Sequence, residues 1–205
     1  MKKLFVFAAM AAMALTACDN TPIEGPEGSG TGNGNNEGGE QAAPAALVLN
    51  ELDGNNKFIE IYNPGDAEVS LYGYTIDKDA EKTVWTGAET IKVPAKGYLV
   101  LESEDLLIDA EAEGGSYTYE SDAHVFGSGL SAKKSLLIEL KDPDGNVVDK
   151  FERGSEPWNE KGYAEDKVNS FSRVPNGTGD FVYAASTKGA ANGEKVADIN
   201  HEKEL

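Results

Sequence analysis

Two carboxylates are the first candidates for chemistry. Glu51 lies in Leu47-Val48-Leu49-Asn50-Glu51-Leu52 and Glu60 in Lys57-Phe58-Ile59-Glu60-Ile61-Tyr62, each surrounded by apolar residues. A close carboxyl pair can divide into a general acid and a general base. The competing reading is structural: a carboxylate inside a strand accepts backbone amide hydrogen bonds, which offset the cost of its burial. No third catalytic group recurs beside the pair, so the structural reading is preferred and no catalytic residue is assigned.

The other candidates are weaker. Asp142-Pro143-Asp144-Gly145-Asn146 has the composition of a calcium loop, but an EF-hand requires Gly at its sixth position and Glu at its twelfth. Here Gly145 is fourth and the twelfth position is Arg153, so a hairpin turn is the better reading. His124 and His201 have no metal-ligand partner at useful spacing. The serines include no Gly-x-Ser-x-Gly elbow, and Gly127-Ser128-Gly129 reads as a loop. No phosphate-cradling glycine loop precedes a Lys-Ser or Lys-Thr pair. Asn176-Gly177-Thr178 is a glycosylation sequon by letter and reads as a turn. Neither a metal nor a cofactor is expected, and the chain is read as a non-enzyme. Trp158, Tyr163, Tyr117 and Tyr119 fall in expected loops, where aromatics can stack on a glycan or anchor a protein partner, or else cap the ends of the fold. Arg173 can clamp a carboxylate ligand, or tie its strand to an acidic neighbour.

The formal charge is −18, which disfavours nucleic acid and anionic membrane surfaces. The single cysteine, Cys18, allows no disulfide within the chain. It follows Lys2 and Lys3 and an uncharged apolar run from Leu4 to Leu15. That run is shorter than the about 20 residues a membrane span needs and fits a signal peptide. Leu15-Thr16-Ala17-Cys18 resembles a bacterial lipobox, which implies a signal over 1–17 and a lipidated Cys18. Several acyl chains, at about 0.8 kcal/mol per buried methylene, hold a protein stably at a membrane. Asp19, Glu24 and Glu27 loosely resemble a surface-export signal of the Bacteroides group. Asp19 directly after the cysteine also resembles the inner-membrane retention signal of enterobacteria, so the expected location is the bacterial envelope, with the outer membrane or cell surface preferred to the inner membrane. Residues 18–45 are rich in Gly, Asn, Glu and Pro and read as a flexible tether, with a root-mean-square span of roughly 30 Å. Glu202-Lys203-Glu204-Leu205 has the look of a retrieval tail, which the lipobox makes coincidental.

The pattern changes at Ala46. Short β-branched and aromatic runs alternate with Gly, Pro, Asn and Asp clusters, and strands are expected at 46–50, 57–63, 68–71, 73–76, 98–102, 124–126, 135–140, 146–151 and 169–174. Leu136, Ile138 and Leu140 share one face. Asp53-Gly54 and Asp144-Gly145 are expected to turn hairpins through residues that accept positive φ. Only 102–113 has helical composition, so an all-β sandwich or barrel is expected over 46–193, followed by a polar tail over 194–205.

Several segments, in order, resemble the lamin tail domain family. Leu47 to Leu52 is similar to its first strand, and Lys57-Phe58-Ile59-Glu60-Ile61-Tyr62-Asn63-Pro64-Gly65 to its most telling motif. Val69 to Tyr74, Val93 to Leu101, Gly129-Leu130-Ser131, Leu137 to Phe151, Ser170 to Pro175 and Ser186 to Asn192 continue the series. The resemblance implies an immunoglobulin-like β-sandwich. It also implies an interaction module, as in nuclear lamins, or an accessory module of secreted and surface proteins. The stretches 103–123 and 154–167 exceed simple connections and are candidate binding elaborations. A non-catalytic, lipid-anchored binding or scaffold module with a protein or glycan partner is therefore expected. The alternative is a carbohydrate-binding or hydrolase-accessory lipoprotein using the loop aromatics or Glu51 and Glu60.

Overall fold

A computed structural model describes residues 46–131, 134–154 and 169–199. The first half of the domain runs β1 (Val48–Asp53), β2 (Phe58–Tyr62), β3 (Val69–Ser70), β4 (Thr75–Lys78), β5 (Lys82–Thr86), β6 (Lys92–Val93), β7 (Tyr98–Ser103) and one helix, α1 (Asp105–Ala112). After a 3-10 turn at Asp122–His124 come β8 (Val125–Phe126), β9 (Leu136–Lys141), β10 (Val147–Arg153), β11 (Asn169–Val174), β12 (Asp180–Ala185) and β13 (Lys195–Asp198).

These strands form a seven-stranded sheet in the order β13-β12-β11-β1-β2-β7-β8 and a four-stranded sheet in the order β10-β9-β4-β5, with β3 and β6 as a separate pair. Alternation explains the packing. On β9 the even positions Leu136, Ile138 and Leu140 are buried and the odd ones are not. Leu49, Leu52, Ile59, Ile61, Leu99, Leu101 and Phe171 of the large sheet meet Ile76, Ile138, Leu140 and Phe151 of the small one in a single apolar cluster. The expected immunoglobulin-like sandwich is therefore present. Phe151 of β10 stacks at 5.0 Å from Phe171 and 4.9 Å from Phe181, which joins the two sheets near their edges.

Register defines two poles. Val48, Tyr62 and Tyr98 lie side by side at one end, and Asp53, Phe58 and Glu102 at the other. The chain enters β1 at the first pole. α1 follows directly on the end of β7 at the second, where β10 ends and β11 begins.

Several expectations are corrected. The segment 195–198, expected within a polar tail, is β13, hydrogen-bonded to β12 through Val182↔Asp198 and Tyr183↔Ala197. Its four residues are too short and polar to show alternation. β5, β6 and β12 were absent from the expected strands. β6 has only two residues, and β5 contributes only Val84 and Trp85 to the interior. At the first hairpin the left-handed residue is Lys57, with φ 55°, rather than Gly54. Asp53 makes this possible by accepting the N–H groups of Asn55 and Asn56, each at 2.8 Å, which fixes the turn before the chain reaches Lys57. The second hairpin follows expectation: Gly145 has φ 85°, and Asp142 accepts the N–H groups of Asp144 and Asn146.

Candidate functional site

The outer face of the seven-stranded sheet carries the buried polar residues Glu60, Glu102, Ser170 and Ser172, and a bulge in β1 adds two more. Register slips between Leu49 and Glu51, so that Asn50 and Glu51 together oppose Glu60. Alternation would have sent one of them into the core; the bulge sends both outward. Asn50, Glu51 and Glu60 are nevertheless fully buried. Their cover is the segment 186–192, which leaves β12, crosses the outer face as a strap and leads back to β13.

The strap is held by the carboxylates beneath it. Glu51 accepts the Thr187 N–H at 3.0 Å, the Thr187 hydroxyl at 3.0 Å and the Ser170 hydroxyl at 2.6 Å. Glu60 accepts the Gly189 N–H at 2.7 Å and the Asn50 amide at 2.7 Å. Glu102 on β7 pairs with Lys188 and accepts the Tyr117 hydroxyl at 2.7 Å. At the end of the strap, the Asn192 amide donates to the carbonyls of Asn50 and Arg173, both at 2.9 Å. Asn176 accepts from Asn50 and from the Asn192 N–H and donates to the Tyr98 hydroxyl, while the Gly177 N–H donates to Asn50 Oδ1.

Electrostatics separate the three carboxylates. Burial pushes the Glu60 carboxyl up to about 7; the hydrogen bonds from Asn50 and Gly189 oppose this rise, and the charge of Glu51 adds to it. Burial would also raise the Glu102 carboxyl, but the hydrogen bonds from Lys188 and Tyr117 outweigh it and hold the group below its ordinary value. Burial and the Glu102 carboxylate push the Tyr117 hydroxyl up to about 12.

The structure thus brings Glu51 and Glu60 together as cross-strand partners and fills their acceptor positions with donors from the domain itself. Tyr117 and Tyr119, expected as loop contacts for a ligand, are half-buried and turned inward. The Tyr119 hydroxyl bonds the carbonyls of Ser103 and Glu104, both at 3.0 Å, and its ring meets Tyr117 edge-on at 5.1 Å. They fasten the stretch after α1 to the end of β7. Trp158, Tyr163, His201 and Cys18 lie outside the described residues. Arg173 ties β11 to β10 through a bidentate pair with Asp149 at 2.8 and 2.9 Å. His124 closes the 3-10 turn before β8, and Asn176 serves the network as the turn after β11. Among the described residues no group of three or more His, Cys, Asp or Glu could hold a metal.

An open groove of about 590 Å³ lies apart from this network, lined by Lys150, Glu152, Arg173, Phe181, Lys195 and Asp198 among others. Its cations are already paired, Lys150 with Glu152, Arg173 with Asp149 and Lys195 with Asp198, so it presents no free positive centre for an anion.

Asn50, Thr187, Gly189 and Asn192 are the site residues that sequence reasoning missed. The usable signal was the apolar-to-polar break at Asn50-Glu51 within a strand. A second signal was the pair of Asn-Gly steps, Asn176-Gly177 and Asn192-Gly193, which lie near each other in the fold.

The chain matches no curated protein. The sequence pattern of one family, Lamin Tail Domain, matches residues 40–155, more than half of the chain. That match covers β1 to β10 and so both layers of the sandwich, although β11 to β13 complete the larger sheet beyond it. The chain belongs to the Lamin Tail Domain family.

Proposed function

We propose that this protein is a non-catalytic binding or scaffold module, held by lipid on Cys18 at the outer membrane or surface of a bacterial envelope. The observation that carries the reading is the fate of Glu51 and Glu60. The residues most like an acid–base pair are buried and occupied in holding the strap. The two poles support it further. Residue 46 enters at one end, while α1 and the elaboration after it stand at the other, where a tethered domain meets a partner. A protein partner is preferred to a glycan because Tyr117 and Tyr119 are engaged within the domain, while Trp158 and Tyr163 lie outside the described residues.

Protease shaving of intact cells tests the anchoring. The domain should be removed from intact cells, and a Cys18→Ala form should no longer fractionate with membranes. Protection until lysis would move the protein to the periplasm. For the chemistry, the purified chain should hydrolyse none of a panel of glycans, nucleotides and phosphoesters, with or without divalent metal. Turnover lost on Glu60→Gln would replace this reading with an enzymatic one.

A further inference from the structure

The strap 186–192 is fastened at β1 through Glu51, at β2 through Glu60 and at β7 through Glu102. Among the described residues, only the last of these carboxylates has a cation, Lys188. Among the described residues, the hydrogen bonds that reach Glu51 and Glu60 come from neutral donors: Ser170 and Thr187 for the first, Asn50 and Gly189 for the second. The two are also cross-strand neighbours with no exposed surface. Two carboxyls sharing a buried site without a counter-ion resist double ionisation, because each charge lacks solvation and repels the other.

We propose that the strap is a proton-operated latch, closed while the buried Glu60 carboxyl beside Glu51 keeps its proton and loosened when Glu60 ionises. The device is independent of how the chain is anchored and of what it binds. Loosening would uncover the outer face around Phe58 and Val100 and slacken the connection that leads to β13.

The sign follows from linkage. With the strap closed, burial lifts the Glu60 carboxyl from 4.5 to about 7. Opening returns it to water and to its ordinary value. Closure therefore takes up a proton between about pH 4.5 and 7, is firmest below that window, weakens as pH rises through it and levels off above. Glu51 faces Glu60 from β1, Tyr98 and Glu102 from β7, Lys188 from the strap and Tyr62 from its own strand. Burial raises Tyr98 above the ordinary phenol range, which keeps it neutral throughout. Glu102 is held below the ordinary carboxylate range, so its pair with Lys188 persists as the fixed end of the latch. His124 bears on Glu102 rather than on Glu60.

The test is amide hydrogen exchange in the purified full chain, with intrinsic exchange divided out, followed at Thr187 and Gly189. From pH 5 to pH 8 opening of the strap should increase on the order of 70-fold, while amides of β2 and β7 change little. Glu60→Gln, neutral at every pH, should flatten the profile. Glu51→Gln removes the neighbouring charge and should move the step to lower pH. A flat profile in the unaltered chain overturns the proposal, as does a step that survives Glu60→Gln. Should Glu60→Gln not fold, the unaltered profile and Glu51→Gln decide the matter.

Discussion

At the scale of the residue, the polar face under the strap depends on amides as much as on carboxylates. Asn192 has a disproportionate part, since its amide caps two carbonyls from different strands, Asn50 and Arg173. Asn192→Ala would leave both without their donor at a site the strap shields from water. Each unsatisfied buried acceptor costs about 1–3 kcal/mol, so a loss of about 2–6 kcal/mol is expected in urea unfolding. A loss below about 0.5 kcal/mol would mean that water replaces the amide and that the strap end is open. The sequence reading singled out Glu51 and Glu60, because isolated acids in apolar runs are visible in one dimension. It could not see Asn192. That residue acts across a sequence separation of 142 positions from Asn50, and nothing local marks an asparagine as a cap for a remote carbonyl.

At the scale of the element, the β1 bulge and the turn after β11 have to fit together. Gly177 sits in that turn with φ 70°, its N–H donated to Asn50, and a side chain there would run into the Tyr62 ring. Gly177→Ala therefore meets two obstacles, left-handed backbone and a ring that also stacks on Tyr98 at 5.0 Å. A destabilisation of about 1–3 kcal/mol is expected, together with a change in the Tyr62 and Tyr98 aromatic signals by NMR. Unchanged signals would show that the turn shifts without disturbing the face. Elements with several alternating residues, such as β2, β9 and β11, were legible within a residue or two. Those without, such as β6 and β13, were not. β13 exists because β12 offers it an edge, a tertiary cause that a polar four-residue segment cannot advertise. The helix was legible by composition; it spans Asp105–Ala112 inside the expected 102–113.

At the scale of the whole molecule, the order of strands makes the two ends of the domain interdependent. β1 is central in the large sheet, with β2 on one side and β11 on the other, so its second partner arrives more than a hundred residues later. The family match ends at residue 155, before that partner. A chain ended at Gly154 would keep β1 to β10 but lose three of the seven strands of the large sheet. It would also remove Phe171, Phe181 and Tyr183, and with them the packing of Phe151 across the sandwich. Buried aromatic side chains are worth about 3–5 kcal/mol each. Two of them together approach or exceed the entire stability of an ordinary domain, about 5–15 kcal/mol. The exposed β1 edge, with Leu49 and Leu52 uncovered beside it, would further favour association between chains. The truncated chain is therefore expected to show no cooperative thermal transition by circular dichroism and to aggregate, whereas the full chain melts in one step. If the truncated chain instead melts cooperatively as a monomer, β1 to β10 are a self-sufficient domain. The strap and β11 to β13 would then be an attachment to that domain rather than part of its closure.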